Sequence, residues 1–87
     1  MAIHFPKQPG IYTAKTTVAF PVQINDADVT CEISTEALQD HFGANSNRGP
    51  DLVAAFEANR TTIESVARAK LPLRASTGRC LLVTADF

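Results

Sequence analysis

The 87-residue chain has no apolar run near the roughly 18 residues that a membrane-spanning helix needs, so nothing in it spans a bilayer. Neither sign of charge is in excess. Eight Lys and Arg face nine Asp and Glu, for a net charge of −1. That balance argues against binding nucleic acid by bulk positive charge alone, and against a disordered acidic tail. Cysteine is scarce. Cys31 and Cys80 stand far apart and form no Cys-x-x-Cys pattern, which excludes a disulfide framework. Each falls in a strand-like segment and reads as a small buried hydrophobe. Residues 1–10 contain His4 and Lys7 but no apolar h-region. This points to an unsecreted, cytoplasmic protein with reduced thiols. The sequon Asn59-Arg60-Thr61 is then a pattern match only. Gly-x-Ser-x-Gly, a phosphate-binding glycine loop and His-Glu-x-x-His are all missing, so no motif names an activity. His4 and His41 lie in no nucleophile context. There is no internal repeat and no low-complexity segment.

What is present is an ordinary globular composition, 45% apolar and 20% charged. The length allows one domain, residues 1–87, burying only about 60–65% of its unfolded surface. Ala2 to Phe5 predicts an edge strand stopped by Pro6. Pro9-Gly10 suits a type II turn, with positive φ at Gly10. Thr16 to Ile24 alternates, with Val18, Phe20, Val22 and Ile24 on one face, and Pro21 marks an edge or a bulge. The polar turn Asn25-Asp26-Ala27-Asp28 joins it to a second alternating run, Val29 to Ser34, whose Val29, Cys31 and Ile33 point inward, giving a hairpin.

Ser34 or Thr35 caps a short helix that carries Glu36 in its first turn and ends at Gly43. Ala44 to Gly49 is a loop by composition. Pro50 opens a second helix, which places Leu52, Phe56, Ile63, Val66 and Ala67 in one stripe to about Lys70, where Leu71-Pro72 ends it. Asn59 falls on that stripe, so its amide needs a hydrogen-bond partner, best found in a loop backbone. Tyr12 follows a turn and covers a sheet edge. Arg74 to Gly78 is a loop, and Arg79 to Phe87 is a last strand with Leu81, Val83 and Ala85 on one face. The expected fold is α+β in the order β-β-β-α-α-β: an antiparallel sheet of about four strands with two helices on one face. Its open edges suit a homodimer.

Charge is unevenly distributed. Residues 1–59 hold three cations against seven carboxylates, and residues 60–80 hold five cations against Glu64 alone. Glu57, Arg60, Glu64 and Arg68 have the spacing of a helix-surface ladder. That leaves Lys70, Arg74 and Arg79 as candidates to meet the phosphates of DNA or RNA. Asp26 and Asp28 in the turn, with Asp51 opening the long helix, are candidate Mg²⁺ ligands. Magnesium takes one or two carboxylates plus phosphate and water, and a metal so placed activates water toward a phosphodiester. The glycine and terminal glutamate of a calcium loop are missing.

The run Ala54-Ala55-Phe56-Glu57-Ala58-Asn59-Arg60, followed by Ile63 and Val66-Ala67-Arg68, resembles a family of short bacterial proteins, the domain-of-unknown-function family numbered 1488. Ile3-His4-Phe5-Pro6 and Asp86-Phe87 share the likeness. The resemblance implies a bacterial cytosolic protein with an α+β fold, and no substrate. Three functions stay open. The first is a homodimeric binding or regulatory protein that touches nucleic acid through its basic C-terminal third. The second is a Mg²⁺-dependent nuclease, and the third is a structural protein–protein interaction module.

Overall fold

Alternation and turn chemistry build the centre of the molecule. In the computed structural model, which describes residues 2–74 and 80–87, two eight-residue strands pair along their whole length. They are β3 (Thr17–Ile24) and β4 (Ala27–Ser34). Asn25 and Asp26 turn the chain between them with φ of 50° and 71°. Positive φ at both central residues is the twist-matched two-residue hairpin turn, and Asn and Asp tolerate it better than most residues. Two short strands pair antiparallel with the outer edge of β3. β1 (Ile3–His4) lies against Gln23 and Ile24, and β2 (Ile11–Tyr12) against Val18 and Ala19. Pro21 falls in the gap between them, where no ladder bond is asked of it.

Ser34 caps α1 (Thr35–His41), its hydroxyl accepting from the Ala37 N–H at 3.2 Å. Gly43 leaves that helix at φ +71°. Pro50 sits in the first turn of α2 (Gly49–Ala58). α3 (Arg60–Arg74) follows, then β5 (Cys80–Leu82) and a 3₁₀ turn at Thr84–Asp86. The expected stripe is the core: Leu52, Phe56, Ile63 and Ala67 are buried, and they meet Val18, Phe20, Val22, Cys31 and Ile33 from the sheet. The Phe20 and Phe56 rings lie 5.1 Å apart at the centre.

The α+β class holds, but the architecture departs from expectation in several places. The sheet is mixed, with five strands ordered β1-β3-β4-β5 and β2 beside β1 on β3. β5 runs parallel to β4, because the three helices between them form a crossover that returns the chain in the same direction. β2 is a further strand, short enough to leave no alternation to read. The last strand is only three residues long: Cys80 and Leu82 face the core, and Leu81 and Val83 share the outer face, 46% and 39% exposed. The single long helix is two, broken at Asn59. That residue leaves helical geometry at φ −120°, and its amide binds the carbonyl of Phe42 at 3.4 Å and of Ala55 at 3.0 Å. The tie to a loop backbone is therefore present, and it sits where the helix breaks. Pro72 does not end α3, which continues to Arg74. Its missing N–H would have met the carbonyl of Arg68, an exposed residue that water reaches. Gly10 has no positive φ, so the Pro9-Gly10 turn is not type II. Its glycine serves close approach instead: a Cβ there would meet Phe56 Cδ2 and Val18 Cγ1 at 2.8 Å.

Candidate functional site

The helix-surface ladder turns inward. Arg60 opens α3 and stands below residues 5–10, the strap from β1 to β2. Its Nε donates to Glu64 Oε2 at 2.9 Å, and Nη1 donates to both Glu57 oxygens at 3.2 Å. Nη1 also reaches the Gln8 carbonyl at 2.6 Å, and Nη2 reaches the Pro6 carbonyl at 3.0 Å. The guanidinium lies 5.2 Å over the Phe56 ring. Glu57 in turn accepts from the Gly10 N–H at 2.8 Å. Burial acts to lower the Arg60 pKa, but the hydrogen bonds and charges of Glu64 and Glu57 outweigh it and hold the group above its ordinary value. An open cleft of about 500 Å³ lies alongside, lined by Phe5, Lys7, Gln8, Thr61 and both glutamates. With its donors engaged by the strap and by the two glutamates, Arg60 lines that cleft as a neutralised group. The spacing of the glutamates was visible in the sequence; the strap carbonyls, more than fifty positions upstream, carried no signal.

Two of the three candidate nucleic-acid residues, Lys70 and Arg74, lie four positions apart on α3. Lys70 Nζ stands 3.9 Å from Asp86 Oδ1, in the 3₁₀ turn. Arg74 is the last residue of α3, and Arg79 lies outside the described residues. Arg68 does not join the ladder. It donates to the Ile3 carbonyl at 3.1 Å and stacks on Phe5. The candidate metal ligands do not gather. Asp26 is exposed in the hairpin turn, and Asp28 accepts from Gln23 Nε2 at 3.3 Å. Asp51 accepts from Ser46 Oγ at 2.6 Å at the start of α2. Among the described residues no three carboxylate, imidazole or thiol groups come close enough to hold a metal ion. His41 packs on Phe87, with its Nε2 3.2 Å from the Thr84 carbonyl.

The feature that sequence reasoning missed is a row of residues across the sheet. The helices cover one face of the sheet; the other is bare. Register places Ile11, Ala19, Glu32 and Leu81 in one row straight across the four strands β2-β3-β4-β5, on the uncovered side. Pro21 and Thr30 lie beside that row. Ile11 is 67% exposed, the highest among the described large apolar residues. Glu32 is half-buried in the middle, where Thr17 Oγ1 donates to it at 2.5 Å. A notch beside Pro21, lined by Gln8, Pro9, Ile11 and Ala19, continues the apolar stretch to the gap between β1 and β2. Alternation told which residues shared this face, and helices on one face of the sheet were expected; the pairing of β2 and β5 that completes the row was not.

No helix among the described residues is long and apolar enough to cross a membrane. Neither a curated protein nor a solved structure matches the chain. A family model does: the one described as protein of unknown function, DUF1488, matches residues 3–82.

Proposed function

We propose that this chain, which belongs to the DUF1488 family, is a non-enzymatic interaction module that pairs with a second copy of itself through the uncovered face of its sheet. The row Ile11–Ala19–Glu32–Leu81 carries the reading. A two-fold axis through the middle of the row sets Ile11 of each copy against Leu81 of the other. The two Glu32 side chains then lie off the axis, each against Ala19. Such a patch is self-complementary, as a two-fold interface requires. The footprint is small. Eight-residue strands at about 3.3 Å per residue and four strands at about 4.8 Å spacing give a face of roughly 26 by 14 Å. That is below the size of stable specific interfaces, so association is weak, reversible and concentration-dependent.

Sedimentation velocity over a micromolar concentration series tests the reading. The wild-type mass rises toward a dimer, while Ile11→Glu and Leu81→Glu stay monomeric with unchanged far-ultraviolet circular dichroism. A wild type that stays monomeric throughout, or variants that dimerise as well as it does, contradicts the proposal. The nucleic-acid reading has narrower support, since Lys70 is already directed at Asp86. A gel-shift titration at several salt concentrations decides it.

A further inference from the structure

Cys31 and Cys80 are register partners in the parallel pairing of β4 with β5, and both side chains point into the core. Both are thiols, with no disulfide between them. Neighbouring strands run about 4.8 Å apart, and a disulfide spans Cα separations of about 4.4–6.8 Å, so register partners on one face meet its reach. The two thiols hydrogen-bond to each other. That bond, with burial, holds the Cys31 thiol well above its ordinary pKa. A thiol so held is a poor nucleophile, because the thiolate is the reactive form.

The strand carrying Cys80 is short and lies at the edge. β5 has three residues and, among the described strands, pairs only with β4. Short edge elements open at lower free energy than the core, and lifting β5 brings both sulfurs to solvent. We propose that Cys31 and Cys80 are a reversible redox pair that closes into an intramolecular disulfide when a small-molecule disulfide meets the chain with β5 lifted. The chemistry balances as two exchanges. The Cys80 thiolate, exposed first as the edge strand lifts, attacks one sulfur of the small disulfide. It forms a mixed disulfide and releases one small thiolate. The Cys31 thiolate then attacks Cys80 Sγ and releases the second. The protein loses two hydrogens and two electrons; the small disulfide gains both and leaves as two thiols. The new bond staples β5 to β4 and closes a loop that contains all three helices. This device rests on a different observation from the self-association proposed above, although lifting β5 also withdraws Leu81 from that face.

Oxidised glutathione is the probe, and intact mass under non-reducing conditions is the readout. The expected product is a monomer lighter by two hydrogens, with no lasting glutathione adduct and no reactive thiol after denaturation. Its amide exchange at residues 80–82 is slowed at least tenfold, and its thermal midpoint is raised by roughly 5 °C or more. A thiol reductant reverses all of this. Cys80→Ala, under the same treatment, stops at a stable mixed disulfide or keeps its thiol. A wild type that ends as a glutathione adduct, as a covalent dimer, or with both thiols intact after long exposure overturns the proposal. The wild-type mass alone decides it, whether or not the variant folds.

Discussion

Arg60 joins three parts of the molecule with one planar group: α2 through Glu57, α3 through Glu64, and the strap through two backbone carbonyls. Five donors in a fixed fork make this work, and lysine has no such fork. Arg60→Ala is expected to cost about 2 kcal/mol, because it strips a charged partner from two glutamates and leaves two carbonyls to water. Arg60→Lys recovers less than half of that. Urea denaturation followed by circular dichroism measures both, and a loss below about 0.5 kcal/mol for the alanine variant would make the contacts an ordinary surface ladder. Sequence spacing had assigned Arg60 to such a ladder. It identified the two glutamates correctly and missed the strap, because periodicity reports neighbours along a helix and is silent about a segment that crosses it. Local chemistry was easier to read. Ser34, Gly43 and Pro50 do what their residue types dictate, since capping and left-handed φ depend on only a few adjacent positions.

At the scale of elements, the break at Asn59 divides what apolar periodicity presents as one helix. The stripe continues through it in phase, from Phe56 to Ile63, so the pattern alone gives no boundary. The one sign was a polar residue on the greasy face. Its amide donates to the Phe42 carbonyl, which ties the α2–α3 junction to the end of α1. Asn59→Ala is expected to cost about 1 kcal/mol through the lost bond. Asn59→Asp costs more, since a carboxylate has no donor and faces a carbonyl. Thermal melts of the three proteins check that order; an Asp variant at least as stable as the wild type would remove the tie from the account. The direction of β5 was illegible for a related reason. A three-residue strand carries too little alternation to fix its face, and whether it runs parallel depends on how a three-helix crossover returns to the sheet.

For the whole molecule, the helices pack one face of the sheet and leave the other bare. A domain of this size that exposes Ile11 and Leu81 in one row has an obvious way to bury more surface. The proposed two-fold pairing demands that each of these residues meet the other across the interface, and complementary charges test that demand directly. Ile11→Lys alone and Leu81→Glu alone each place charges against apolar side chains, and each stays monomeric. Mixed in equal amounts, they form a dimer with one contact in which the two new charges meet and a second that keeps the native apolar pairing. Sedimentation velocity of the two variants, apart and mixed, is the measurement. The account predicts monomers apart and a dimer when mixed, weakened by added salt. Monomers in all three samples, from a wild type that itself dimerises, would contradict the pairing of Ile11 with Leu81.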